Sequence, residues 1–409
     1  QTKDFDSIII EDQLPLMTPT RLIEEFISMK LGIPVISVVR SDERRFKILE
    51  DFGRGLFGWF EPEKVTTEEL MAQLSSAKHF YNFLKQAPKT SLRSFTTVGY
   101  FGMVGVEKEM LDVYHLLIQI KNKNVTTVLY GESGTGKNLT AKTLHETSLR
   151  RERPNVAVNC PAIPSDLLES ELFGHEKGAF TGAIERKDGK FLTANAGTIF
   201  LDEIGDMSPS LQSKILRVLE SGEIERVGGA ETIKVDVRII SATNQNIEEK
   251  ITKGEFRHDL YHRINVFPIT LPALRDHRED IPLITMSILK KLTKKHQTPV
   301  RYISHAGMNI LKSHSWIGNI RELENTLERI VLINDVPILT ENEIQPILNE
   351  SKQSMEAQGL HQPQMNIPHA TSSDSVHSNT TENFAQNEDR NIDTSVIKTL
   401  KELEYEAIL

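Results

Sequence analysis

Gly131-Glu132-Ser133-Gly134-Thr135-Gly136-Lys137-Asn138 stands between an apolar strand candidate at residues 126–130 and the start of a helical pattern. Glycines at these spacings let backbone N–H groups wrap a phosphate at a helix N-terminus, and Lys137 reaches the outer phosphates. The strand before and the helix after separate such a loop from an ordinary Gly-rich turn. Asn138 takes the place where the general pattern has Ser or Thr on the metal, so a metal ion must lean on other ligands.

Those ligands follow. Thr198-Ile199-Phe200-Leu201-Asp202-Glu203 is an apolar strand ending in two carboxylates. Asp202 is expected to hold Mg2+ through water, and Glu203 to orient and polarise the attacking water. Further strand candidates at residues 156–159, 235–242 and 266–271 alternate with helical stretches, which predicts a parallel sheet. Phosphoryl transfer also needs positive charge where negative charge spreads in the transition state. Phe256-Arg257-His258-Asp259-Leu260-Tyr261-His262-Arg263 offers two arginines six apart. An arginine reaching a neighbouring subunit's nucleotide is worth on the order of 10³–10⁵ in rate. His258 and His262 have the i, i+4 spacing of a helical zinc site. The acidic residue after the first is Asp259, not Glu, and no third ligand is evident, so no metal is expected there.

The chain has 409 residues, enough for two or three domains, with 38% hydrophobic and 26% charged residues. No apolar run reaches the length of a membrane span, and no secretory signal opens the chain. The single cysteine, Cys160, cannot close an internal disulfide, which fits a cytoplasmic protein. A net charge of −9 argues against the bulk of the chain being a nucleic-acid surface. The chain begins at Gln1 and stops inside a helical pattern, so it reads as a fragment of a longer protein.

Working outward, residues 1–65 alternate strand candidates (7–10, 34–39, 56–60) with amphipathic helices (20–29, 42–52), again a parallel arrangement. Residues 66–97 read as a helical linker whose helix is opened by Thr67, with Leu70, Leu74, Ala77 and Phe80 on one face. Residues 98–274 form the strand–helix alternation around the phosphate loop, and residues 275–348 turn fully helical, a small lid subdomain. Residues 349–393, rich in Ser, Asn, Gln, His and Thr, are expected to be a disordered linker. Helical periodicity returns at residues 394–409.

Glu171-Leu172-Phe173-Gly174-His175-Glu176-Lys177 leads into Gly178-Ala179-Phe180-Thr181-Gly182-Ala183. By composition this hexapeptide is a turn whose Phe180 either packs inward or is presented to a partner. With the phosphate loop and the acidic strand, it resembles the bacterial enhancer-binding proteins, the sigma-54-dependent activators among the AAA+ ATPases, over about residues 104–334. The resemblance implies a P-loop α/β domain with a helical lid, binding of ATP and Mg2+, and ATP hydrolysis in a homo-oligomeric ring, a hexamer. It implies that Gly178, Ala179, Phe180, Thr181, Gly182 and Ala183 contact sigma-54 RNA polymerase holoenzyme. Gly131 to Asn138 would bind nucleotide; Lys137, Asp202, Glu203 and the trans-acting fingers Arg257 and Arg263 would serve hydrolysis. Asn159 would couple nucleotide state to Glu203, Thr243 and Asn244 match the first sensor, and Arg321, in Trp316-Ile317-Gly318-Asn319-Ile320-Arg321, matches the second. Two departures are Ile317 for the usual proline and Asn138 for the usual Glu.

The amino-terminal region is similar to a flavodoxin-like response-regulator receiver entered at its third strand. Glu11 falls where a receiver has its phosphorylated Asp, Glu61 where it has a lysine before proline, and Val39 where it has Thr. A carboxylate at position 61 would repel a phosphoryl group. The expectation is a degenerate receiver without phosphorylation, in which Glu11 is a fixed negative charge or a purely structural carboxylate and Asp12 a minor alternative acceptor. Residues 394–409 resemble the first helix of the family's DNA-binding domain, so contact with enhancer DNA would belong to the longer protein.

Overall fold

The computed structural model describes residues 5–357, apart from 13, 15–16, 29–31, 89–90, 92–94 and 97. The expected disordered linker beyond residue 357 and the helix at 394–409 lie outside the described residues.

Three short strands, β1 (Ile8–Ile10), β2 (Val35–Val38) and β3 (Gly58–Phe60), pair in parallel in that order. They alternate with α1 (Pro19–Ser28) and α2 (Asp42–Arg54). Ser41 caps α2 by accepting from the Arg44 N–H, and Gly55 closes it in a left-handed conformation. The long helix α3 spans Thr67–Gln86. Thr66, not Thr67, is the cap, its hydroxyl accepting from the Glu69 N–H while the Glu69 carboxylate accepts from the Thr66 N–H. Both threonines can cap; only Thr66 has Glu three residues on.

A small antiparallel sheet, β4 (Phe95–Thr96), β5 (Gly99–Tyr100) and β6 (Met103–Val104), occupies the end of the expected linker and leads into α4 (Lys108–Ile120). The central sheet consists of β7 (Thr127–Tyr130), β8 (Asn155–Asn159), β11 (Thr198–Asp202), β14 (Arg238–Thr243) and β15 (Phe267–Thr270). All its pairings are parallel and the spatial order is β15-β7-β14-β11-β8. The helix α5 (Lys137–Glu146) follows β7. Between β8 and β11 the chain inserts α6 (Ser165–Phe173), the two-residue strands β9 (Gly174–His175) and β10 (Lys187–Asp188), and the short α7 (Lys190–Thr193). After β11 come α8 (Pro209–Ser221) and the hairpin β12 (Glu223–Glu225) and β13 (Thr232–Lys234). The helices α9 (Ile247–Thr252) and α10 (His258–Ile264) precede β15.

Strand periodicity sorts the sheet's side chains onto two cores. Phe200, Ile240 and Ala242 face one core, whereas Ile199, Leu201 and Ile239 face the other, with Leu172, Ile215 and Leu260. Burial on both faces is why Ile199-Phe200-Leu201 of β11 and Ile239-Ile240 of β14 show no apolar–polar alternation.

The lid comprises α11 (Ile281–His296), α12 (His305–Ser313), α13 (Asn319–Ile333) and α14 (Glu341–Ala357). It is not wholly helical: β16 (Tyr302–Ile303) and β17 (Ile338–Leu339) pair in parallel. Two-residue strands are too short to carry a periodic signal. α14 also continues past Leu348 into the stretch expected as linker.

The first of the two cores does not stop at the central sheet. It runs through Tyr100 and Tyr114 to Phe80, Phe57 and Ile36 of the amino-terminal region, and through Leu289, Tyr302 and Trp316 of the lid. Phe57, Phe80, Phe83, Phe95, Tyr100 and Tyr114 form a chain of ring contacts with centroids 4.6–6.5 Å apart. Glu61 seals this junction. Its buried carboxylate accepts from Arg45 (2.5 Å), Lys64 (2.9 Å) and the lid's Tyr302 hydroxyl (3.1 Å).

Candidate functional site

The phosphate loop joins β7 to α5 with Gly131, Gly134 and Gly136 at positive φ. A Cβ on Gly136 would meet nothing within 4 Å, leaving open room at the helix N-terminus for a phosphate. Gly134 is the reverse case. A Cβ there would overlap the Gly318 carbonyl oxygen of the lid, so glycine is required by close approach as well as by φ of 81°. Lys137 is buried, its ammonium donating to the carbonyls of Gly131 (2.8 Å) and Glu132 (3.2 Å) and lying 3.5 Å from a Glu203 oxygen. Asn138 is exposed on the first helical turn, and the Thr135 hydroxyl donates to the Glu132 carbonyl.

Asp202 ends β11 beside Asn159 of β8, its register partner. Its Oδ1 is buried and has no hydrogen-bond partner among the described residues. An orphaned carboxylate oxygen is the acceptor that the water shell of a divalent ion requires, so Asp202 fits Mg2+ bound through water. Glu203, at φ 55°, sits in the left-handed region, a strain of roughly 1–3 kcal/mol for a non-glycine residue. This turn aims its carboxylate back toward Lys137, and the other oxygen accepts from the Asn244 N–H at 2.9 Å. Thr243 accepts from the Gln245 N–H, and the Asn159 side chain accepts from the Ala162 N–H rather than bonding Glu203.

The lid supplies Arg321, whose guanidinium donates to the Ser133 hydroxyl at 3.0 Å. Arg257 caps α10 and Arg263 lies in its last turn, and neither makes a bond to the chain's own phosphate loop among the described residues. Arg257 forks onto Asp259 (2.6 and 2.9 Å) and Arg263 lies 3.4 Å from Glu220. The Arg257 hydrogen bond holds the Asp259 carboxyl down at about 2. His258 and His262 touch through Nε2 at 3.0 Å, yet no group of three metal-ligating side chains forms among the described residues.

The Gly178–Ala183 hexapeptide tips the β9–β10 insertion. It is a closed turn: Gly178 N–H donates to the Ala183 carbonyl (2.8 Å) and Ala183 N–H to the Phe180 carbonyl (3.0 Å). Phe180 is 37% exposed, its ring edge-on to His175 at 5.0 Å, so it is neither packed inward nor free. Three other residues escaped the sequence reading. Arg226, buried between β12 and β13, gathers Glu176, Asp188 and Glu231. Arg275 and Asn319 both bond Glu132. Asn319 lies within Trp316–Arg321, but nothing in the sequence marks Arg275.

Residues 103–270 match the Sigma-54 interaction domain family and residues 275–360 the AAA+ ATPase lid domain family. The transcriptional regulatory protein ZraR of Klebsiella oxytoca is 37% identical over 342 residues, covering 84% of this chain and 76% of its own. The chain belongs to the sigma-54-dependent activators, a branch of the AAA+ ATPases. Within this family, the Nif-specific regulatory protein of Enterobacter agglomerans is 50% identical over 237 residues, 58% of this chain and 46% of the relative. The chain thus spans about half the length of several curated relatives it matches, 46%, 60% and 48% in three of them. Crystal structures of NtrX from Brucella abortus, in complex with ADP and with ATP, superpose with a TM-score of 0.56 at 30% identity, covering 86% of this chain and 78% of theirs. The fold is accordingly the AAA+ P-loop α/β domain with its lid.

Proposed function

We propose that this chain is the ATP-hydrolysing motor of a sigma-54 activator, which works as a ring and remodels the closed promoter complex through the Gly178–Ala183 loop. The observation that carries the reading is the convergence of Lys137, Asp202, Glu203 and Arg321 at one end of the parallel sheet, where the phosphate loop opens. The ATP- and ADP-bound NtrX structures support a nucleotide in this cradle. Lys137 would bind the outer phosphates and Arg321 would close the lid on them. Mg2+, held by Asp202 through water, would neutralise charge on the phosphates. Glu203, oriented by Lys137 and the Asn244 N–H, would hold the attacking water and take up its proton. Arg257 and Arg263 would reach the nucleotide of the adjacent subunit, which requires an oligomer, in this reading a hexamer.

Movement has a direct route to the loop. Asn159 is the last residue of β8, next to Asp202, and the chain leaves it for α6, which carries the β9–β10 insertion. The amino-terminal sheet would be a degenerate receiver. Glu61 is committed to Arg45, Lys64 and Tyr302, Glu11 to Arg40, and Asp12 to the N–H groups of Arg40 and Ser41. Enhancer DNA would be bound by a domain that begins at residues 394–409, and the protein would act in the cytoplasm. No helix among the described residues is long and apolar enough to cross a membrane.

Thr181→Ala tests the central claim. The variant is expected to hydrolyse ATP at close to the parental rate and to form no open promoter complex with sigma-54 polymerase. Normal open-complex formation by that variant would remove the loop from the mechanism.

A further inference from the structure

We propose that Glu132 is a positioning residue that sets the lid over the nucleotide cradle through Arg275 and Asn319, rather than a contact to the nucleotide itself. This deepens the proposed ATPase role and rests on it. One Glu132 oxygen accepts from Arg275 at 2.5 Å; the other accepts from Arg275 at 2.8 Å and from the Asn319 amide at 3.1 Å. A bidentate fork of this kind fixes direction as well as distance. Arg275 lies in the turn that leaves the central sheet for the lid, and the fully buried Asn319 opens α13.

Asn319 extends the connection. Its amide also donates to the Ser133 carbonyl at 3.0 Å, and its side-chain oxygen accepts from the Leu274 N–H at 2.8 Å. The next residue, Ile320, donates its N–H to the Gly134 carbonyl at 3.1 Å. Trp316 and Asn319 both hold positive φ, 46° and 55°, a strained turn that these bonds keep in place. Phosphate loop, inter-subdomain turn and lid helix therefore meet on one carboxylate. Arg321 is two residues beyond Asn319, so the reach of its guanidinium to Ser133 follows from where the clamp sets the helix.

Charge argues the same way. A bare carboxylate inside a phosphate loop would repel a triphosphate, and the Arg275 guanidinium cancels that charge. The same hydrogen bond, against the opposing effect of burial, holds the Glu132 carboxyl below its ordinary value, with Asn319 helping. The clamp is thus ionised at neutral pH.

The test is a double-mutant cycle on the full chain with Glu132→Gln, Arg275→Ala and the pair, reading kcat, KM for ATP and the release rate of a fluorescent ADP, with thermal unfolding as a folding control. Each single variant is expected to raise KM and speed ADP release by about tenfold, with kcat falling far less, and the double variant to be no worse than either single. Additive losses, unchanged nucleotide release, or a fall in kcat at constant KM would overturn the assignment. Should Arg275→Ala not fold, Arg275→Lys, which keeps the charge without the fork, replaces it under the same criteria. A parental chain that binds no ADP would instead sink the ATPase reading, which separates the two failures.

Discussion

In the proposed mechanism Glu203 is the base, held in a left-handed backbone between Lys137 and the Asn244 N–H. Glu203→Gln keeps the shape and removes the base. ATP turnover is expected to fall by roughly 10²–10⁴-fold while nucleotide affinity persists, measured by single-turnover hydrolysis beside equilibrium binding. Arg257 and Arg263 invite a different test, since neither serves its own phosphate loop. Alanine at Arg257 is expected to cost on the order of 10³-fold in rate. Mixing the Arg257→Ala and Glu203→Gln chains should then recover activity that neither has alone, because some interfaces in a mixed ring combine an intact finger with an intact Glu203. A mixture as inactive as its components would place the finger in cis or outside catalysis.

At the scale of elements, the turn between α12 and α13 is built on Trp316, fully buried, with its indole N–H donating to the Leu311 carbonyl at 2.7 Å and its ring 4.4 Å from His314. Trp316→Ala removes a large core side chain and a buried bond. A loss of about 3–5 kcal/mol is expected, read by denaturant unfolding of the full chain. A loss below about 1 kcal/mol would mean that the lid repacks, against the interlocked contacts seen here. The Gly178–Ala183 loop is built on the opposite plan. It hangs on two-residue strands and a charge hub at Arg226, with Phe180 half-exposed, so little apolar burial resists its displacement.

Across the whole molecule, the amino-terminal sheet is part of the motor's core, not an appended module. Deleting residues 1–65 would strip Ile36, Ile48 and Phe57 from a core shared with Leu289 and Tyr302 of the lid. The truncated chain is expected to melt lower than the parent and to show an ATPase rate with an altered dependence on protein concentration. An unchanged melting temperature would mean that the junction is incidental. The Glu61 clasp adds a pH signature. Burial opposes ionisation of this carboxyl, but Lys64 and Arg45 outweigh it, so the folded value lies below the ordinary 4.5. The stability it supplies is complete above about pH 4.5 and drains away as pH falls through the lower folded value. Glu61→Gln should therefore narrow the stability difference between pH 7 and pH 4, measured by chemical unfolding at both.

The phosphate loop, the Asp202-Glu203 strand end, the hexapeptide and the strands of the central sheet were legible in the chain because each is local. Backbone geometry, strand burial and helix capping act over a few residues, and glycine, carboxylate and β-branched side chains report them directly. Strands of two residues, the capping choice between Thr66 and Thr67, and the true partners of Glu132 were not. A strand that short has no period, and neighbouring threonines differ only in what lies three residues on. Glu132 and Arg275 are 143 residues apart, so their pairing exists only once the lid folds back on the loop. Glu61 is the same case on a larger scale. Its sequence position says only that it is a poor substitute for a receiver lysine, whereas its bond to Tyr302 makes it a seam between two ends of the chain. The sequence by itself determined the phosphate loop, the acidic strand end and the sheet that carries them. Only tertiary structure decided which distant charges meet, because long-range packing of the lid and amino-terminal sheet brings those groups within reach of each other.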